Sequence, residues 1–416
     1  MLRRFSFIIM AAVLLSATTA LADEQETVNP VPVLTTDEAT LIDATEIATQ
    51  YNQPLELVLD QVRLQRETTE FVESLSRETL ASLAGVEFDS PDRLSGRVFF
   101  RGDVPSEAHE RLADLGMRHL ELVGGLQWSE ADISVRREAI AGALVAMGLG
   151  EAVVKSDIRS QNFSIEVALG SDADSPTGKE LIDNLVSNLR DFAITADMLT
   201  VIEWPAGSNL VEPAHTYGGA WMRKDSDRWC TSGFSVTRSS DGVEGVSTAG
   251  HCEGLNKIEE NDTSGAAVTV YSAPWAGEHI GSRGDIEWHT TSHVEVPEFW
   301  SNTNFRRVVK SREPNSGGHA VGTYVCHYGR SSGYSCGYIY DSYMSVTFKW
   351  NGQWVTASNM VEVDRGKSVG GDSGGPWFYS DRAFGIHHGH LTSNSHPVYS
   401  KIQNVEIQFG VVTKKG

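Results

Sequence analysis

The chain is short of positive charge: 34 Lys and Arg stand against 55 Asp and Glu, a formal net charge of −21. Neither half carries a basic stripe, which argues against nucleic acid as a partner. Long apolar runs are scarce as well. Apart from Phe5–Leu15, no apolar stretch is offered as a membrane span, so the expectation is a product with no membrane anchor. Cysteine is rare, four in 416 residues, and none precedes Cys230. Cys230, Cys252, Cys326 and Cys336 contain no CxxC pair, which weighs against zinc. Their even number and spacing suggest bridges Cys230–Cys252 and Cys326–Cys336, although four cysteines permit three connectivities. Bridges of this kind imply an oxidising compartment.

What is present divides the chain in two. Residues 1–216 hold 16 Lys and Arg against 35 Asp and Glu, whereas residues 217–416 hold 18 against 20, so the acidity belongs to the first half. Arg3 and Arg4, the apolar stretch Phe5–Leu15 and the Ala20-Leu21-Ala22 cleavage pattern predict a secretory leader over residues 1–22. Residues 23 to about 85 predict helix, with Leu55, Val58, Leu59 and Val62 at helical spacing and Thr35–Glu38 as a capping box. Strand and helix then alternate: strand Arg97–Phe100, helix Ser106–Leu115, strand His119–Val123, helix Ser129–Met147, strand Phe163–Leu169, helix Thr177–Leu189 and strand Leu199–Trp204. Two strand, helix, strand units predict two small α+β lobes. Residues 205–219, with two prolines and three glycines, predict an exposed linker. From there the texture is all-β until a helical stretch at Ser400–Phe409, and Asn351-Gly352 predicts a type I′ hairpin turn inside Val346–Val355.

Near the C-terminus Gly370–Phe378 reads GGDSGGPWF. Glycine at this density is kept where the backbone needs φ > 0 or close approach, and Ser373 among it is placed to meet a substrate. Backbone N–H groups of Gly371 and Ser373 would form an oxyanion hole for acyl transfer. A serine hydroxyl is a weak nucleophile that needs an imidazole base and a carboxylate to fix the base's tautomer. His251 in STAGHC is the base this sequence offers, and Asp285 in GDIEWH the carboxylate, with Ile286 and Trp288 alternating to anchor its strand. Gly371–Gly375 also satisfies the GxSxG pattern of α/β-hydrolases, but those enzymes order the triad Ser, Asp, His, and here the serine comes last. A secreted binding protein without catalysis is the alternative from another class, disfavoured because all three groups are present.

STAGHC, the Asp285 segment and GGDSGGP, in that order, resemble the chymotrypsin-like serine proteases, whose triad runs His, Asp, Ser along the chain. Cys230-Thr-Ser-Gly-Phe-Ser-Val and the Cys326–Cys336 segment are similar to the secreted bacterial branch of alpha-lytic protease and the streptogrisins, and Leu83–Glu107 is similar to that branch's prosegment. The resemblance implies an all-β double β-barrel protease domain over 216–416, preceded by an α+β prosegment over 23–215 that assists folding, inhibits, and is removed in the PAHTYGG segment. It implies a secreted endopeptidase acting on proteins or peptides through His251, Asp285 and Ser373, with its own prosegment as partner, no cofactor and no metal, monomeric when mature.

Three departures from that pattern bear on mechanism. No cysteine stands near Arg365–Gly370 to tie down the serine loop. His327 replaces an arginine that neutralises the aspartate before the nucleophile, so Asp372 is expected to pair with His327⁺ or with Arg330. GIHHGH at Gly385–His390 replaces a Ser-Gly-Gly substrate strand, with His388 in the serine's place. His387 falls where glutamate-specific members contact the substrate carboxylate, so His387, His388 and His390 are candidate pocket residues. Arg365 and Lys367 would favour an acidic residue at P1, the substrate position before the cut bond. Self-cleavage after His215 or Tyr217 would instead favour a large or aromatic one. A metal held by the three histidines is the weaker idea, because strand neighbours face opposite sides.

Overall fold

The computed structural model describes residues 31–89, 93–149, 152–169, 177–205, 211–213, 219–261, 267–291, 295–314 and 317–416. The leader expected at residues 1–22 lies outside them. A short strand, Val33–Leu34, lies parallel to Arg306–Arg307, and two helices follow it. Thr36–Tyr51 starts on the expected capping box, with Thr35 and Glu38 satisfying each other's backbone N–H groups, and ends at Asn52, whose φ of 52° turns the chain. Leu55–Glu73 follows, its Val58, Leu64, Phe71 and Val72 buried on one stripe.

The first lobe is a three-stranded sheet. Gly96–Arg101 lies parallel to Leu120–Leu126 across the helix Ser106–Leu115, and antiparallel to Leu83–Phe88. Phe71, Val86, Val98, Phe100 and Ala108 close its core. The second lobe repeats the parallel crossover: Phe163–Leu169 pairs with Leu199–Pro205 across the helix Gly178–Asn188, and antiparallel with Ala152–Ser156. The helix Glu130–Ala146 seals it, with Ile133, Ile140 and Leu144 against Phe163, Ile165, Leu181 and Leu185. Leu83–Phe88 and Ala152–Ser156 are strands that sequence periodicity does not show. Both are buried at almost every position, so neither alternates apolar with polar.

Residues 219–291 form two antiparallel sheets. One contains Trp221–Lys224, Asp227–Thr231, Lys257–Asn261 and Ala267–Ser272; the other contains Ser235–Arg238, Glu244–Thr248, Trp275–Gly281 and Gly284–Thr290, joined by Val411–Thr413 from the C-terminus. Beyond residue 320, six strands follow one another around a ring. Tyr324–Gly329, Pro376–Tyr379, Arg382–Leu391, Pro397–Lys401, Gln353–Val363 and Gly333–Trp350 pair in that order, and the last pairs back to the first. The hairpin turn is where the sequence puts it, Asn351 at φ 50° and Gly352 at φ 75°, but its arms run far past Val346 and Val355.

The ring does not end at the body. Met344–Thr347 pairs antiparallel with Ala152–Lys155, so one sheet continues into the second lobe. Of the stretch expected to be a linker, Val211–Pro213 forms a strand antiparallel to Gly389–Leu391. Val31–Gly416 make one unit. Ala44, Ile47 and Val58 of the N-terminal helices share a core with Phe234, Trp288, Trp377, Phe378 and Tyr399 of the body.

Candidate active site

Ser373 sits in the turn that feeds the Pro376–Tyr379 strand. Asp372 N–H donates to Val369 O at 3.1 Å and Gly375 N–H to Asp372 O at 2.9 Å, which winds the backbone tightly. Gly374 N–H donates to His387 O, and Thr231 N–H to Ser373 O, so neighbouring strands clamp both sides. Gly374 has φ +87°, and a Cβ there would stand 2.2 Å from Thr231 O and from Thr248 Oγ1. Only glycine fits, because both the dihedral and the space exclude a side chain.

His251 follows the Glu244–Thr248 strand, and the Cys252–Cys230 bridge ties its turn to Asp227–Thr231 of the other sheet. The Cys326–Cys336 bridge is formed as well. Asp285 stands at the start of Gly284–Thr290, which pairs with Glu244–Thr248, so strand register carries the carboxylate to the imidazole. The His251 backbone N–H donates to Asp285 Oδ1 at 2.9 Å, and His251 Nδ1 lies 2.5 Å from Oδ2. A carboxylate only accepts, so Nδ1 carries the proton and Nε2 is left as acceptor, 2.7 Å from Ser373 Oγ. Burial pushes the Asp285 carboxyl up, but the His251 and His388 imidazoles hold it well below the usual carboxylate range.

Two further partners of Asp285 leave no sign in its local sequence. Ser400 Oγ accepts from Asp285 N–H at 2.9 Å and donates to its carbonyl at 3.1 Å. His388, expected in the substrate pocket, instead places Nδ1 2.7 Å from Asp285 Oδ2, the same oxygen that His251 uses. Phe348 packs on both imidazoles, 4.9 Å from His388 and 6.4 Å from His251 between centroids. Burial lowers the His388 pKa, with Asp285 pulling it partly back, so the ring is neutral and donates through Nδ1. Its Nε2 is buried without a hydrogen-bond partner among the described residues. The signal for this role was the serine-to-histidine departure itself. One nitrogen each of His251 and His388 and a carboxylate oxygen of Asp285 lie close enough together to hold a metal ion, but both Nδ1 atoms and Oδ2 are engaged in these hydrogen bonds.

His387 points elsewhere. Trp377 Nε1–H donates to His387 Nδ1 at 3.2 Å, which puts the neutral ring's proton on Nε2, 2.9 Å from Ser368 Oγ. His390 Nδ1 reaches the same hydroxyl at 3.3 Å. Ser331, Lys367, Ser368, Val369 and His390 line one open hollow. The structure thus joins His387 and His390 through Ser368 and separates both from His388. A β-bulge between His387 and Gly389 breaks the simple alternation expected of strand neighbours here.

The expected pairing of Asp372 with His327⁺ or Arg330 is corrected. Asp372 Oδ1 accepts from the N–H groups of Ser331 and Ser332 at 3.1 and 3.2 Å, and Oδ2 from Val369 N–H at 2.9 Å. Burial raises its pKa, and these donors counter the rise. His327 is stacked against both His387 and Trp377, with centroids 4.3 and 4.9 Å away, and burial drives its pKa to about 3. A neutral ring offers Asp372 no charge. Arg330 Nη1 donates to Tyr328 Oη instead.

No family model matches the chain. Among curated proteins it is similar to serine protease 1 of Rarobacter faecitabidus, 27% identical over 241 residues, 56% of this chain and 42% of that one. It is also similar to streptogrisin-C of Streptomyces griseus, 30% identical over 41% of this chain and 34% of the relative. The chain therefore spans less than half the length of these relatives. Among solved structures, a glutamic-acid-specific serine protease described as using a histidine triad in substrate binding aligns at 20% identity and TM-score 0.38, covering 48% of this chain and 100% of the other. Protease A of Thermobifida fusca aligns at 23% and 0.36, covering 50% and 99%.

Proposed function

We propose that this chain is a secreted serine endopeptidase, made as a proenzyme, with Ser373 as nucleophile, His251 as general base and Asp285 as orienting carboxylate. The hydrogen-bond relay from Asp285 Oδ2 through His251 to Ser373 Oγ, at 2.5 and 2.7 Å, carries the reading. His251 Nε2 takes the hydroxyl proton as Oγ attacks the scissile carbonyl, and the imidazolium formed is stabilised by Asp285. The N–H groups of Gly371 and Ser373 meet the oxyanion, each such donor being worth about 3 kcal/mol. His251 then protonates the leaving amine, and water repeats the sequence on the acyl-enzyme. In this reading the six-stranded ring and the two sheets of 219–291 are the two barrels of a chymotrypsin-like domain, the triad crossing between them.

The proenzyme reading has its own support. Ser373 is fully buried in the intact chain, and the Val211–Pro213 strand occupies the edge of the strand bearing His387, His388 and His390. A segment seated there blocks the place where a substrate backbone would pair. Residues 23–215 are accordingly read as a prosegment, released by cutting near the PAHTYGG segment.

Labelling of the secreted, processed protein with a fluorophosphonate tests the assignment. We expect a labelled species beginning near residue 215 and no label on Ser373→Ala. Label retained by that variant, or a product still beginning near Asp23, overturns it. For P1, the Ser368 hydroxyl, held by His387 Nε2–H and beside His390, favours a side-chain carboxylate, with Lys367 lining the hollow. Cleavage of a peptide library should enrich glutamate at P1. Enrichment of aromatic residues instead rejects that choice without touching the triad.

A further inference from the structure

The helix Thr36–Tyr51 carries a carboxylate into the body at a place the proposed chemistry does not use. Asp43 is fully buried beside Ala39, Ala44, Ile47 and Ala48 on the packed face of the helix. Aspartate is a poor mid-helix residue, and a buried charge is costly unless paired. Its donors all come from residues after 300. Arg307 grips it with both arms, Nη1 to Oδ2 at 2.7 Å and Nη2 to Oδ1 at 2.8 Å. The Tyr334 hydroxyl donates to Oδ1 at 2.6 Å, and the Ser380 backbone N–H to Oδ2 at 2.6 Å.

These donors are fixed by the body itself. Arg307 is 1% exposed, lies 4.8 Å over the Phe378 ring, and donates through Nη1 to Ser380 O at 3.1 Å. The Tyr334 hydroxyl stands against the Cys326–Cys336 bridge. Ser380 follows the Pro376–Tyr379 strand, so this cradle lies at the opposite end of that strand from the Ser373 turn, about 13 Å along the chain by strand rise. Contacts around the carboxylate select a helix and not a loose anion. Thr40 Oγ1 donates to Ser380 Oγ at 2.8 Å, Thr36 Oγ1 to Asp381 Oδ2 at 2.6 Å, and Lys310 Nζ to Thr36 Oγ1 at 2.9 Å.

We propose that Arg307, Tyr334 and the Ser380 N–H form a carboxylate-binding site, distinct from the triad, whose ligand is an aspartate presented by a helix: Asp43 within the intact chain, and the same helix held across a chain break once the first half is severed. A planar guanidinium gripping both oxygens, in a place water does not reach, makes this a strong and selective contact. Bound there, the helix bears on the strand that leads back to the nucleophile turn.

The test is independent of any peptidase activity. Full-length Ser373→Ala protein, carrying a recognition sequence for an added site-specific endopeptidase in place of residues 206–210, is nicked, and release of the N-terminal piece is timed by gel filtration. The parent piece should stay bound and Asp37→Asn should match it, since Asp37 is exposed. Asp43→Asn should release at least about a hundredfold faster, because it leaves a buried guanidinium unpaired. Tyr334→Phe, which removes one donor and little packing, should release about tenfold faster and carries the test alone if Asp43→Asn does not fold. Release rates for the folded variants within threefold of the parent overturn the proposal.

Discussion

At the scale of single residues, His388 is the group whose chemistry departs furthest from expectation. It gives Asp285 a third N–H donor, after the two from His251. Hydrogen bonds to a charged group are typically worth about 1.5–3 kcal/mol, so His388→Ala should lower kcat by about 10- to 100-fold with KM little changed. His388→Ser should recover part of the loss, since a hydroxyl can donate to the same oxygen. A KM effect with kcat intact would instead place His388 in substrate binding. The relay was legible because His251 and Ser373 sit in distinctive local sequences, Asp285 less so, and the Ser373 glycines have the steric need that their density suggested. The neighbours of the relay were not legible. Ser400 comes from a strand more than a hundred residues from Asp285, and nothing local to it marks a contact made only by folding. Asp372 misled for a different reason. No cation among the described residues meets it, and three backbone N–H groups satisfy its oxygens, donors that every sequence has and none displays.

At the scale of elements, what carries a cap or a period was visible in advance. The helices Ser106–Leu115 and Glu130–Ala146 and the Asn351-Gly352 hairpin agree with their local signals. The joint between halves is made by elements without such signals. Where Ala152–Ser156 meets the Gly333–Trp350 strand, Lys155 pairs with Glu166 at 3.0 Å and with Glu362 at 2.9 Å. Glu362 is fully buried and also receives Asn394 and His396 on its other oxygen. Lys155→Met would strand one buried carboxylate and one nearly buried one. We expect a loss of about 3–5 kcal/mol in urea unfolding of the intact chain. A shift below about 1 kcal/mol would mean that the remaining partners of Glu362 suffice.

At the scale of the whole molecule, the histidines set a direction for acid sensitivity. His319, His327, His387 and His388 are fully buried, and burial is the leading cause that lowers the pKa of each. For His327 the unfolded chain takes up a proton below about pH 6.5, while the folded chain refuses it until about pH 3. The unfolded state binds more protons across that window, so this residue's contribution to stability falls as pH falls through it. His327→Asn should flatten the dependence of the urea midpoint on pH between 6.5 and 3 by about one proton. An unchanged slope would contradict a neutral His327. Asp341, raised to about 6 mainly by burial, acts with the opposite sign, so only the difference between variant and parent isolates the histidine. The division into an acidic first half and a near-neutral second half was readable from composition. The sheet that crosses between them was not, because pairing between distant strands leaves no mark on either.

That crossing has a consequence for whatever remains after a cut. While the chain is whole, Met344–Thr347 finds its hydrogen-bond partners in Ala152–Lys155. Take the first half away and the same residues become a bare edge, a row of unpaired N–H and C=O groups of the kind that templates strand addition and aggregation. Shedding the first half would thus expose a sticky margin on the piece that carries the serine.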